Sequence, residues 1–317
     1  MDRVASVTTS RPLAGVPDPV TVRAPAKVNL ALAVGPLGDD GYHPIETVFQ
    51  AVSLYDELTA TAAEGISVTV EGEGAEKVGP SPDNIATRAA VLLAERTECN
   101  LGAHLQIKKA IPVAGGMAGG SADAAAALVA CDALWGTGLD RDALVELAAE
   151  LGADIPFSLV GGTALGVGRG DVLTPVLARG TYHWVFAIAW GGLRTPDVYA
   201  EFDRRGKAGL TGTEDVLAAL RAGDALALGR VLSNDLQESA VALRPELGKV
   251  LRAGVDLGAV GAVVSGSGPT VALLVRDGRS ATALAAALAA EDVCRAVRIA
   301  HGPVPGVRIV DGADGLA

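Results

Sequence analysis

The chain has 317 residues, half of them hydrophobic and a fifth charged, which excludes whole-chain disorder and leaves room for one large domain or two smaller ones. Its 40 glycines are about double ordinary usage but follow no G-X-Y period, so they are read as turns and close backbone approaches rather than collagen or linker. A net charge of −11 excludes a general nucleic-acid binder, and three scattered cysteines without a CxxC argue against a zinc site or disulfide framework and point to a reducing compartment.

Residues 1–19, rich in Ser, Thr and Pro and without a basic-then-apolar leader, are expected to form a poorly ordered extension. From Val20 to Val34 every even position is apolar while Lys27 and Asn29 fall on odd ones, the period of a half-buried strand with a polar face. A turn at 35–41 leads to strands near 46–53 and 66–70. Asp83 is expected to cap a helix with an apolar stripe of Ile85, Ala89, Leu92 and Leu93, and 105–109 reads as a further strand. A glycine-rich loop at 112–120 precedes an Ala-rich run to Trp135, with Ser121 as expected N-cap and Gly136 as stop. A second helix runs from Asp140 to Gly152, with Asp154 in the turn beyond.

Residues 163–172 suggest a hairpin, and 183–190 a strand with Trp184, Phe186, Ile188 and Trp190 on one face. After about residue 180 the pattern changes to helices near 215–222, 224–237 and 245–253, strands at 262–265 and 271–275, a helix at 279–290 and a strand at 294–299. The uncharged run 258–275 has Gly261, Gly266, Gly268 and Pro269 in its middle, so it reads as strand, loop, strand and not as a membrane span. The whole is α+β without internal repeats.

The strongest chemical signal is the loop Pro112, Val113, Ala114, Gly115, Gly116, Met117, Ala118, Gly119, Gly120, Ser121, Ala122 running into a helix. Successive glycines let backbone N–H groups wrap an anion, and a helix start adds unpaired donors and about half a positive charge. No Gly-Lys-Ser/Thr or GxGxxG occurs, so neither a Walker A loop nor a dinucleotide fingerprint is present. The loop alone is also compatible with a tight turn that needs glycine for packing. Asp123 in the first helical turn would repel a phosphate, so it is expected to point away or to face a metal. Lys27, one of six lysines, reads by itself as a solvated strand residue, and Asp154 as an ordinary turn aspartate.

Taken in order, Ala24-Pro-Ala-Lys27-Val-Asn29-Leu30, the loop 112–125, Leu151-Gly-Ala-Asp154-Ile-Pro156-Phe157 and Val264-Ser-Gly-Ser-Gly-Pro-Thr270 resemble the motifs of the galacto-, homoserine, mevalonate and phosphomevalonate (GHMP) kinase superfamily. Gly41-Tyr42-His43-Pro44-Ile-Glu46-Thr47 and Asn234-Asp-Leu-Gln237 resemble its subgroup that phosphorylates the 2-hydroxyl of a cytidine diphosphate-linked methylerythritol in non-mevalonate isoprenoid synthesis. The resemblance, over about residues 20–300, implies a two-domain fold. An ATP-binding domain (20–178) like domain 2 of ribosomal protein S5, with a left-handed β-α-β phosphate loop, would meet a ferredoxin-like substrate-binding domain (179–317) across the active-site cleft.

It further implies Lys27 and Asp154 as the catalytic pair, roughly 4 Å apart. A carboxylate beside an ammonium is a weak base, so positioning is weighted above proton abstraction. Residues 112–122 and Asn84 would hold ATP, with Ser121 facing phosphate or Mg²⁺; Ala122 stands where many members have a second Ser, which leaves the metal ligands open. Tyr42 and Tyr199 would sandwich the cytosine, His43 would hydrogen-bond it through ring or backbone, and Asn29, Thr195, Ser265 and Gly266 would meet the acceptor or its phosphates. The resemblance implies ATP and Mg²⁺, small-molecule substrates and neither nucleic acid nor membrane, and a cytoplasmic setting is expected. The rival readings are a homoserine or mevalonate kinase, a catalytically silent member, and an unrelated phosphate-binding protein in which Lys27 and Asp154 lie apart.

Overall fold

The computed structural model describes residues 17–79, 83–206 and 212–310, so all but the last three residues of the expected extension at 1–19 lie outside the described residues. Two long strands, β1 (Val20–Val34) and β2 (Ile45–Ala63), form an antiparallel pair, followed by β3 (Ser67–Gly72), a 3-10 turn (Ala75–Lys77), α1 (Ile85–Arg96) and β4 (Gly102–Lys109). Three helices, α2 (Gly119–Trp135), α3 (Arg141–Leu151) and α4 (Ile155–Val160), lead to the hairpin β5 (Thr163–Gly168) and β6 (Val172–Pro175). Next come β7 (Tyr182–Ile188), α5 (Thr195–Arg205), α6 (Glu214–Ala222), α7 (Ala225–Val231), β8 (Ser233–Asn234), α8 (Gln237–Leu243) and α9 (Glu246–Asp256). The chain closes with β9 (Gly261–Val264), β10 (Val271–Val275), α10 (Gly278–Ala290), β11 (Ala296–Gly302) and β12 (Arg308–Ile309).

The first sheet has eight strands along the path β12-β1-β2-β4-β3, with β5 on β2, β6 on β5 and β8 on β1. β2 pairs with β1 along its length and divides its other edge, giving residues 45–50 to β5 and 57–63 to β4. Ala-rich α2 is apolar nearly all round and lies deep in the core, where Ala122, Ala124, Ala125, Ala126 and Ala127 keep it close to the sheet and to α1. The second sheet is antiparallel in the order β11-β7-β10-β9. Numbered within their own unit these strands run 4-1-3-2, the ferredoxin-like βαββαβ arrangement. Among the described residues no helix is long and apolar enough to cross a membrane.

The two sheets are fastened together. Trp184 Nε1 donates to Gln50 Oε1 at 3.0 Å, and Glu73 after β3 takes hydrogen bonds from Arg295 and, at 2.6 Å, from Arg298 on β11. Burial pushes the Glu73 carboxyl up, but the two guanidinium groups outweigh it and hold it below the ordinary carboxylate value.

Four sequence expectations shift. Asn84, not Asp83, caps α1, its Oδ1 accepting from the Ala86 N–H at 2.9 Å. α2 starts at Gly119, so Ser121 lies in its first turn and the N-cap is Ala118, held at φ +58°. The expected helix at 224–237 is broken because Asn234 Nδ2 donates to the carbonyls of Val264 and Gly266, each at 2.7 Å, while Asp235 Oδ2 takes the N–H of Val34. β7 ends at Ile188 and leaves Trp190 exposed beyond it.

Candidate active site

Ala26, Val28 and Leu30 of β1 enter the core, which turns Lys27 and Asn29 to the opposite face, where they line a cleft of about 850 Å³. Lys27 is only 6 % exposed. Its ammonium donates to Asn29 Oδ1 at 2.7 Å, Asn29 Nδ2 donates to Thr47 Oγ1 at 2.8 Å, and the Thr47 hydroxyl donates to the Ala31 carbonyl at 2.7 Å. This relay fixes the ammonium over the Phe49 ring and 3.8 Å from Asp154 Oδ2. Asp154 precedes α4 but does not cap it, and its side chain is 39 % exposed, so its carboxylate is open to a ligand while the lysine is held from behind. The short separation removes the reading in which the two residues lie apart.

Across the cleft, residues 110–118 link β4 to α2. Three successive carbonyls are engaged from outside the loop: Gly115 O by the Thr270 N–H at 3.3 Å, Gly116 O by Ser265 Oγ at 2.9 Å and Met117 O by the Lys27 N–H at 3.2 Å. A trans peptide points its N–H opposite to its C=O, so the N–H groups of Gly116, Met117 and Ala118 point away from those three partners, and Gly115, Gly116 and Ala118 line the cleft. Ala118 offers no side-chain cap, which leaves the first N–H groups of α2, from Gly119 to Ser121, without an intrahelical acceptor. Pro112, Val113 and Ala114 complete the wall, whereas the Met117 side chain and Ala122 are buried in the core. Asn84 lines the same cleft, and its Nδ2 is buried without an acceptor.

Sequence reasoning missed the charge cluster beneath this loop. Lys109 Nζ, its side chain 1 % exposed, is bound by Asp56 Oδ2, by Asp123 Oδ2 at 2.6 Å and by the Gly119 carbonyl at 3.3 Å. Asp56 Oδ1 accepts the N–H groups of Ala110 at 2.6 Å and Ile111 at 2.9 Å. Burial pushes the Asp123 carboxyl up to about 8, against the pull of Lys109 and with the Asp56 charge adding to it. Asp123 gives one oxygen to Lys109, and both residues, though almost fully buried, are among those that line the cleft. A signal was present: Lys109 continues the inward series Ala103, Leu105, Ile107 at period two, so a buried ammonium was due at the end of β4.

The acceptor side differs in detail from expectation. His43 Nδ1 meets the Gly35 carbonyl at 2.9 Å, its ring stacks on Tyr199 at 5.1 Å, and its Nε2 lies 3.4 Å from Asp203. The ring nitrogens are therefore engaged within the protein, and His43 is not among the residues that line the cleft. Tyr199 sits on α5, and burial, with the Asp154 charge adding, pushes its phenol up to about 12. Tyr42 does not line the cleft or face Tyr199. It is half exposed beneath the guanidinium of Arg169, 3.7 Å from the ring centre, and Arg169 itself lines the cleft. Thr195 and Gly266 line it too, with Thr195 Oγ1 2.9 Å from Ser267 Oγ. Ser265 is fully buried, with its hydroxyl spent on Gly116, so it clamps one glycine loop to the other and offers no direct contact to a substrate.

Comparison with known proteins agrees with this architecture. Residues 84–162 match the GHMP kinases N terminal domain and 216–293 the GHMP kinases C terminal model. The chain is 54 % identical over 301 residues to 4-diphosphocytidyl-2-C-methyl-D-erythritol kinase of Salinispora tropica, covering 93 % of this chain and 96 % of the relative. It is 55 % identical over 304 residues to the protein of the same name from Thermobifida fusca, covering 93 % and 99 %. A crystal structure of 4-(cytidine 5'-diphospho)-2C-methyl-D-erythritol kinase matches with a TM-score of 0.75 at 33 % identity, covering 89 % of this chain and 98 % of that one. Homoserine kinase from Cytophaga hutchinsonii, with a TM-score of 0.72 at 18 % identity over 95 % and 100 % of the two chains, shares the fold alone.

Proposed function

The chain belongs to the GHMP kinase family, among relatives named 4-diphosphocytidyl-2-C-methyl-D-erythritol kinase, and from that premise we propose that it phosphorylates the 2-hydroxyl of 4-diphosphocytidyl-2-C-methyl-D-erythritol with ATP. The observation that carries the reading is the Lys27–Asp154 pair at 3.8 Å, in the same cleft that the glycine loop lines. The acceptor oxygen attacks the γ-phosphorus, the bond to the β-phosphate oxygen breaks, and ADP leaves. Lys27, locked by Asn29 and Thr47, offsets charge growing on the transferring group, while Asp154 orients the hydroxyl and receives its proton as the new bond forms. Little basicity is demanded of Asp154, because alignment and electrostatics account for most of the rate in phosphoryl transfer.

ATP takes the loop 112–122 and the start of α2. Asn84 Nδ2, a buried donor without an acceptor, is satisfied by the nucleotide. Mg²⁺ would neutralise charge between the β- and γ-phosphates. Among the described residues no group of three or more His, Cys, Asp or Glu is placed to hold a metal, and the Ser121 hydroxyl, lining the cleft on the first turn of α2, is the oxygen donor that would hold it. On the acceptor side, Tyr199 supplies a face for the cytosine, the His43 backbone reads its edge, and Arg169, carried on Tyr42, faces the diphosphate. The reading divides the chain into an ATP-binding part at 20–178 and a substrate-binding part at 179–317, working in the cytoplasm.

An ADP-release assay with the cytidyl acceptor, homoserine and mevalonate tests the reading. Turnover with the cytidyl acceptor alone is the expected result. Preferred turnover of homoserine or mevalonate would replace the acceptor assignment, and ADP release with none of the three would remove the kinase reading.

A further inference from the structure

The nine residues 110–118 hang between two attachments to one buried ammonium. At the entry, Asp56 holds the N–H groups of Ala110 and Ile111 with one carboxylate oxygen and Lys109 with the other. At the exit, Lys109 binds the Gly119 carbonyl and the Asp123 carboxylate in the first turns of α2. Three ammonium donors meet three acceptors, so Lys109 is satisfied. Gly119 makes the approach possible, since a Cβ there would stand 3.3 Å from Lys109 Nζ and 3.1 Å from Ile111 Cγ2.

Stability does not explain Asp123. The cluster sets two carboxyls against one ammonium, and Asp123 Oδ1 is buried without a partner, an arrangement that costs free energy an apolar side chain would not. Lys109 and Asp56 would balance each other without it. What Asp123 adds is a second line from the ammonium to α2, the helix whose first three residues line the cleft.

We propose that Lys109, gripped by Asp56 and Asp123, is a positioning residue that fixes the distance between the two ends of the phosphate loop, and that the Asp123 tie sets where the start of α2 meets the nucleotide. The inference rests on the reading of this loop as the ATP site. It concerns no contact with the acceptor.

The test compares two neutral variants, so that charge repulsion toward ATP is the same in both. Asp123→Asn keeps a carbonyl oxygen for Lys109; Asp123→Ala removes the tie. Binding of a non-hydrolysable ATP analogue is measured by calorimetry, with melting temperature and the KM values of both substrates. Asp123→Ala is expected to bind the analogue roughly tenfold more weakly than Asp123→Asn, and to lose kcat/KM for ATP by a similar factor, with the acceptor KM within twofold. Should Asp123→Ala not fold, Asp123→Ser, too short to reach Lys109 but able to bond within its own helix, takes its place with the same expectation. Equal analogue binding by the asparagine and the alanine or serine variant overturns the positioning role. Wild-type protein that binds no analogue overturns the ATP reading of the loop, and this inference with it.

Discussion

The tightest point between the two glycine loops is Gly116, and it offers a quantitative handle on how much alignment matters. Its φ is +75°, and a Cβ there would stand 2.9 Å from the Gly268 carbonyl oxygen and closer still to that of Ser265. Both obstacles are backbone, so a side-chain rotation cannot relieve them. In Gly116→Ala the loop must retreat by about 1 Å, a displacement that costs on the order of 10²-fold in rate when reacting groups are held by geometry, or about 2.7 kcal/mol in the barrier. The left-handed backbone adds about 1 kcal/mol of strain to the fold. Gly136 separates these effects: it has φ +66°, caps the far end of the same helix, and a Cβ there would meet nothing within 4 Å. Gly136→Ala is expected to lower the melting temperature by a few degrees with kcat and KM unchanged, while Gly116→Ala loses kcat/KM roughly a hundredfold. Both are read by steady-state ADP release and thermal unfolding. A Gly116→Ala enzyme within threefold of wild type would refute the idea that loop-on-loop contact places the nucleotide.

Lys27→Ala and Asp154→Ala should each remove most turnover, by at least about 10²-fold, while affinity for an ATP analogue stays within a few-fold; activity retained in both would end the catalytic assignment. Tyr199→Ala is expected to raise the acceptor KM more than the ATP KM, and Tyr42→Ala to do so less, because Tyr42 lies outside the cleft and acts through Arg169; equal KM values across wild type and both variants would remove the stacking face. Glu73, held below its ordinary value by Arg295 and Arg298, contributes stability that is present above about pH 4.5 and is lost as pH falls through its lowered value. Glu73→Gln should therefore lower stability at neutral pH and flatten the acid limb of the stability profile, and an unchanged acid limb would show that the latch carries no linkage.

The parts legible in the sequence are those whose signal is local. The period-two run of β1 placed Lys27 opposite the core, the glycine loop ran into an Ala-rich helix, and Asp140 capped α3 as expected. The start of α2 moved by three residues because glycine and alanine at positive φ, not a polar cap, end the loop before it. The helix expected at 224–237 failed because its break is made by partners far away in the chain, at Val34, Val264 and Gly266. The Lys109 cluster was hidden for the same reason: Asp56 is 53 residues from Lys109 and belongs to another strand. Tyr42 and Ser265 were assigned by motif position, which carries no information on whether a side chain faces ligand, solvent or a neighbouring loop.

The loop carbonyls turned outward at Gly115, Gly116 and Met117 have a kinetic consequence. A cradle built largely from amide dipoles acts only at contact, since dipoles fade with distance much faster than charges. On the proposed ATP reading of this loop, an arriving nucleotide therefore meets the field of the whole molecule first, and that field, from a net charge of −11, is repulsive. Added salt screens the repulsion over a Debye length of about 8 Å at physiological strength without weakening the amide contacts to the same degree. Nucleotide capture by this protein is thus a process that salt accelerates, the reverse of the behaviour of a site that draws its anion in with a basic surface.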